Sequence, residues 1–256
     1  MWQVRKLDDP NKILAFLERD RLYAAYAIAD LEPELFQHTR WYVAEADGQT
    51  RSLALLFTAL DPDVLFLMGD PAGLIIILGS ALRPRRVYAS IRPEHLPVLR
   101  SHYRLSRPER TVRMVLDAGA FRPVNGRTTR LSPAYARQLE RLYRMAQGNA
   151  FSAYQVAQGV FYGVTAQERL VATAGTHVLS ETYSVAAVGN VFTHPEHRRQ
   201  GLGTLCTGAV VQELLSRRIQ TIVLNVHENN ETALNIYKQL GFKEHCRYIE
   251  VLAERN

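Results

Sequence analysis

The chain has 256 residues, of which 47% are hydrophobic and 22% charged; this allows one large domain or two ordinary ones and excludes disordered, collagen-like and disulfide-stapled classes. The longest aliphatic run, 74–78, is far below the roughly 18 to 20 apolar residues of a membrane-spanning helix, so no span is expected. The 31 basic and 25 acidic residues leave a charge of +6, and the 27 arginines are scattered along the chain, which argues against a nucleic-acid stripe.

In chain order, 2–7 reads as a strand, and Asp9-Pro10 opens a helical pattern through Ile13, Phe16, Leu17 and Leu22 to about Leu31, limited by Pro33. Three strands follow, 41–46, 53–60 and 64–68, separated by Asp47-Gly48 and Asp61-Pro62-Asp63 as turns. Pro71 starts a helix to Leu82, 86–91 is a strand, 93–103 a helix and 111–116 a strand. The stretch 118–130, with Gly119, Pro123, Asn125 and Gly126, is the linker candidate. Beyond it lie a helix over 132–146 capped by Ser132, strands at 161–164, 170–179 and 184–192, a helix over 203–217, a strand at 221–226, a helix over 231–240 and a last strand at 242–252. Both halves thus read helix, three strands, helix, strand, helix, strand. Two copies of one α/β (α+β) layout, 1–120 and 127–256, are expected. The first residues lack the apolar core of a secretion signal, and Cys206 and Cys246 are the two cysteines; a cytoplasmic, reduced protein is the expectation.

The segment Val191-Phe192-Thr193-His194-Pro195-Glu196-His197-Arg198-Arg199-Gln200-Gly201-Leu202-Gly203-Thr204 leaves a strand, turns through glycine and positive charge, and enters a helix. A helix N-terminus exposes unpaired N–H groups and about half a positive charge, and glycines let the backbone approach a diphosphate. Arg198 and Arg199 add formal charge. A Walker loop is disfavoured because Gly203-Thr204 has no intervening Lys. A dinucleotide fingerprint would want Gly or Ala where Cys206 stands.

Arg198-Arg199-Gln200-Gly201-Leu202-Gly203 resembles the acetyl-CoA loop of the GNAT N-acetyltransferases, and Leu224, Val226, Asn230, Ala233, Tyr237, Gly241 and Phe242 match the spacing of that family's next strand and helix. The resemblance implies tandem GNAT-like domains, each a mixed, mainly antiparallel sheet flanked by helices, the first degenerate. It implies acetyl-CoA as cosubstrate, no metal, and transfer of an acetyl or short acyl group to a small-molecule or peptide primary amine by direct attack in a ternary complex. By the same resemblance the strand Gly189 to Thr193, with Val191, Phe192 and Thr193, takes the pantetheine arm through its main chain, Arg198 to Thr204 (Arg198, Arg199, Gln200, Gly201, Leu202, Gly203, Thr204) the diphosphate, and Tyr237 protonates the departing thiolate. Asn230, Ala233 and Tyr237 share one helix face, and small Ala233 leaves room for the cofactor.

An alkyl amine with a pKa near 10.4 is mostly protonated at pH 7, a deficit of about 4.6 kcal/mol that a base must help offset. Glu181 is the first candidate and His177 the second, with His194 and His227 also close in sequence. Asn190 reads either as a group polarising the thioester carbonyl or as a satisfied strand amide. At the corresponding turn of the first half, Asp70 stands where phosphate would go, so one acetyl-CoA per chain is expected. Tyr23 and Tyr26 read as packing residues or as lining for an acceptor. Both cysteines read as small apolar groups. A non-catalytic acyl-CoA-binding regulatory protein is the alternative; no nucleic-acid or membrane partner is expected, and a homodimer is left open.

Overall fold

The computed structural model describes residues 1–145, 151 and 153–256. Ala146, the expected end of one helix, lies outside them. The chain forms two compact units, 1–112 with 246–256, and 113–245. These divisions fall inside strands and not in 118–130, and the end of the chain belongs to the first unit.

The first unit contains β1 (Gln3–Lys6), α1 (Pro10–Leu17), α2 (Ala25–Ala29), α3 (Pro33–Phe36), β2 (Thr39–Ala46), β3 (Gln49–Phe57), β4 (Asp63–Gly69), α4 (Pro71–Ile76), β5 (Arg86–Ile91), α5 (Leu96–Arg100), β6 (Tyr103–Leu105) and the start of β7 (Glu109–Leu116). Strands β1 to β4 pair antiparallel in sequence order, and β5 joins β4 in parallel from Asp63↔Val87 to Phe66↔Ser90. Asp9 opens α1 by accepting from the amides of Asn11 and Lys12, the cap read from sequence. The long helix expected to about Leu31 is instead broken. Asp20 accepts from the amide of Tyr23 and pairs with Arg92, while the Tyr23 hydroxyl donates to the Leu67 carbonyl at 3.0 Å. Those distant partners turn the chain where local periodicity would continue it. The helix expected to Leu82 also changes character, passing at Ile77–Ala81 into a π-turn. There Arg255 donates to the Leu78 carbonyl at 3.1 Å and satisfies a group the altered helix exposes. Leu74, Ile77 and Leu78 pack with Val98 and Leu99 on Leu65, Leu67, Val87 and Ala89 to form this unit's core.

The second unit contains the rest of β7, then β8 (Thr129–Arg130), α6 (Ala136–Tyr143), α7 (Ala153–Gln158), β9 (Phe161–Ala166), β10 (Arg169–Ser180), β11 (Val185–Thr193), α8 (Leu202–Ser216), β12 (Thr221–His227), α9 (Glu231–Gln239) and the start of β13 (Phe242–Arg255). Strands β8 to β11 pair antiparallel in order, and β12 lies parallel to β11. The expected linker is docked here: the amide of Asp117 donates to the Gly241 carbonyl at 3.0 Å, and a Cβ at Gly126 would come within 2.8 Å of Leu205. Strand β13 ends in the first unit, pairing antiparallel with β5 from Ile249↔Ile91 to Glu254↔Arg86. Each unit therefore has an antiparallel meander, a helix, and a strand returning parallel to the meander's last strand. No helix among the described residues is long and apolar enough to cross a membrane.

Candidate active site

The parallel ladder of β11 and β12 runs from Val185↔Thr221 to Val188↔Leu224, whereas β11 continues to Thr193. Past Val188 the β12 side of β11 leaves the ladder, so main-chain groups of 189–193 that face that side are not paired with β12. The other side still pairs with β10, through Gly175↔Gly189, Thr173↔Phe192 and Ala172↔Thr193. Between these pairs, Asn190 and Val191 oppose Ala174 alone, and Asn190 has φ 52°. This is a bulge, a device that re-aims a strand at its functional end.

Side chains hold the bulge in place. The Asn190 amide donates to His177 Nε2 at 3.2 Å, its carbonyl accepts from the Tyr143 hydroxyl at 2.5 Å, and its Nδ2 donates to Gln155 Oε1 at 3.3 Å. Asn190 is buried, and its Oδ1 has no partner. The Asn190 side chain is packed in place but is not the fully satisfied strand amide of the second reading. His177 must carry its proton on Nδ1 to accept from Asn190 through Nε2, and burial pushes its pKa down to about 4. A Cβ on Gly189 would sit 2.4 Å from the His177 ring, so this glycine makes room for the imidazole. Tyr143 and Gln155 were not singled out from sequence, because no spacing connects them to this strand.

The turn after β11 ends in a helix N-terminus without a side-chain cap. Helix α8 has 15 residues and begins after Gly201 at φ 72°, and its first amides donate to no capping side chain. Its first N–H groups have no intrahelical partner and carry the positive end of the helix dipole. Gly201 has open space where a Cβ would stand, and a Cβ on Gly203 would meet Thr193 Oγ1 at 3.4 Å and Val191 Cγ1 at 3.8 Å. The first turn of α8 therefore lies beside the open end of β11. Arg198 is anchored there: its Nε donates to the Thr193 carbonyl at 3.3 Å, and its guanidinium is 5.9 Å from the Phe192 ring centroid. Exposed Arg199 adopts φ 62°, an uncommon conformation for a residue with a Cβ. Gln200 is exposed, while Leu202 and Thr204 are partly buried in the first turn of α8. Cys206, one turn further on, is buried, and its pKa is pushed up to about 12; it is a packing group.

Asn230 caps α9, its Oδ1 accepting from the Ala233 amide at 3.1 Å. One face of α9 carries half-buried Ala233 and buried Tyr237. The Tyr237 ring centroid is 6.1 Å from that of Phe242, and burial pushes the phenol up to about 12. The exposed residue His227 ends β12 on the splayed side. His194 follows β11, its Nδ1 accepting from the Glu196 amide at 3.3 Å.

Glu181, expected as a base beside the cleft, lies at the other end of β10 and β11. It follows Ser180, which pairs with Val185 at the hairpin end of β10 and β11, the end away from the splay. It is 65% exposed and pairs with Arg217 at 3.0 Å, just beyond the C-terminus of α8. The 15-residue helix spans about 22 Å, which separates Glu181 from the first turn. The Nε2 lone pair of His177 is engaged by the Asn190 amide. Among the described residues, no group of three or more His, Cys, Asp or Glu is placed to hold a metal ion.

Residues 129–242 match the acetyltransferase (GNAT) family. A ribosomal protein bS18 alanine N-acetyltransferase of Salmonella typhimurium is 33% identical over 81 residues, covering 32% of this chain and 53% of that one. A mycothiol acetyltransferase of Tsukamurella paurometabola is 34% identical over 84 residues, 33% of this chain and 29% of that one. The chain thus spans about half, or less, of the length of these relatives. A tandem GNAT protein from the clavulanic acid biosynthesis pathway has 17% identity and a TM-score of 0.58, with 99% of this chain and 98% of that one covered; it shares the fold of both units. With the sequence match over 129–242 and the uncapped α8 turn in the same segment, the second unit belongs to the GNAT acetyltransferase family.

Proposed function

We propose that the chain transfers an acetyl or short acyl group from acetyl-CoA to a primary amine, with the chemistry in the second unit. The observation that carries this reading is the uncapped N-terminus of α8 beside the open edge of β11. Diphosphate oxygens suit the free amides of α8 with Arg198 and Arg199, and an extended amide-bearing arm suits the main chain of 189–193 as an added strand. Ala233 leaves space along α9, and Asn230 keeps its Nδ2 as a donor after capping. Bound acetyl-CoA supplies the activated thioester. Tyr237 is protonated throughout the neutral range, holding a proton for the leaving sulfur. An exposed histidine is the base that fits the fold, and His227 is proposed for it. The reaction makes a C–N bond, breaks a C–S bond, and moves one proton from amine to base and one from phenol to sulfur.

The names of two relatives point to two acceptor types for the panel, an alanine amine of a ribosomal protein and a small molecule related to mycothiol. Calorimetry with acetyl-CoA, followed by a free-thiol assay across an amine panel, tests the proposal. One site per chain and amine-dependent thiol release are expected. Binding without release for any amine would support the non-catalytic reading, and absence of binding would remove the cradle itself.

A further inference from the structure

The first unit holds a cavity of about 210 Å³ at the C-terminal ends of β4 and β5, just beyond the last rung of their parallel ladder, Phe66↔Ser90. This is the position that the open edge of β11 takes in the second unit, but the chemistry is different. Asp70 caps α4 by accepting from the Ala72 amide at 2.8 Å, so the positive charge comes from side chains. Arg19, Arg51 and Arg92 line the cavity against one carboxylate, Asp20.

Two of these arginines are held rigidly. Arg92 pairs with Asp20 and lies 4.6 Å from the Tyr23 ring centroid. Arg19 donates to the Thr50 carbonyl at 3.0 Å and stacks 4.3 Å from the Phe16 ring centroid. Among the described residues, the Arg51 side chain has no hydrogen-bond or ion-pair partner. His95 also lines the cavity and is 2% exposed. Its Nε2 lies 2.9 Å from the Gly69 carbonyl, which makes Nε2 the protonated nitrogen, and its buried Nδ1 acceptor has no partner. A buried acceptor without a donor is costly and calls for one from a ligand.

We infer that this cavity binds a small organic carboxylate with a flat apolar body and one hydroxyl or N–H donor. Arg51 and Arg19 take the carboxylate in their planar forks, Phe16 and Tyr23 flank the body, and His95 Nδ1 accepts from the donor. The site is independent of the acyl-transfer reading, because every lining residue belongs to the first unit.

Ligand-observed NMR titration with 4-hydroxybenzoate tests this, using benzoate and 4-hydroxybenzamide as comparators. Saturable binding of 4-hydroxybenzoate is expected, weaker for benzoate, which lacks the donor, and weakest for the uncharged amide. Arg51→Ala, at an exposed side chain, should weaken it about tenfold, Arg51→Lys should restore part of the loss, and saturating CoA should leave it unchanged. No saturable binding at millimolar ligand, equal binding of the amide, or unaltered binding in Arg51→Ala would overturn the site. Displacement by CoA would overturn it too, by placing the probe in the second unit.

Discussion

The turns that follow β4 and β11 join equivalent strands to equivalent helices, yet they handle the helix N-terminus in opposite ways. After β4, Asp70 accepts from the Ala72 amide and the helix runs only six residues before its π-turn. After β11, Gly201 leads into a 15-residue helix with no side-chain cap. A carboxylate on the first helix satisfies its amides internally and repels a second anion; glycine and arginine on the other leave an anion site. The same backbone layout thus carries one capped and one uncapped helix end, and the choice rests on a few side chains at the turn.

The largest test of this contrast is Arg198→Ala with Arg199→Ala. Each charge-assisted contact contributes about 1.5–3 kcal/mol, so acetyl-CoA affinity should fall about 100-fold or more in calorimetry at fixed salt. Unchanged affinity, or two equivalent CoA sites in the parent, would break the contrast. A second test compares the glycines. A Cβ on Gly69 would lie 2.2 Å from the Arg51 carbonyl oxygen at φ 102°, so Gly69→Ala should cost roughly 3 kcal/mol or more by urea unfolding.

Acid sensitivity should separate the units as well. In the second unit, the His177 pKa falls from 6.5 to about 4 on folding, so the unfolded chain binds more protons between those values. This stability is present above pH 6.5 and is lost as pH falls toward 4, by about 3 kcal/mol. His177→Gln, which keeps an acceptor for Asn190, should flatten that slope. In the first unit, burial raises Asp30 from 3.8 to about 7, which has the reverse sign: stability is lost as pH rises through that window, and Asp30→Asn should remove the loss. Urea midpoints from pH 4 to 8 check both.

Tyr237→Phe should lower turnover about tenfold with a smaller change in acetyl-CoA affinity, read from steady-state kinetics beside calorimetry. Gly201→Ala is the smallest effect: its space is open, so only the left-handed backbone is strained, by about 1 kcal/mol. A loss as large as that of Gly69→Ala would mean that the two turns are constrained alike.

Much of this molecule is written in short stretches of chain. The cap at Asp9, the turn at Asp47-Gly48, the meander strands and the loop from Arg198 to Gly203 each depend on residues within a few positions of one another, because capping, positive φ and side-chain alternation are local properties. The repeated order of elements was legible for the same reason. Where distant groups meet, local pattern misleads. The helix expected to about Leu31 breaks because Asp20 finds Arg92, 72 residues away. The expected linker packs against α8, and the final strand completes the first unit. Glu181, a plausible base by proximity in sequence, lies at the far end of α8 with Arg217, and the bulge at Asn190 is held by Tyr143, Gln155 and His177 from three other elements. Sequence alone determined which segment presents an uncapped, arginine-flanked helix end, since backbone conformation and charge there are set by neighbouring residues. Tertiary structure alone decided which side chains surround that end, since strand pairing, not chain proximity, selects who meets across it.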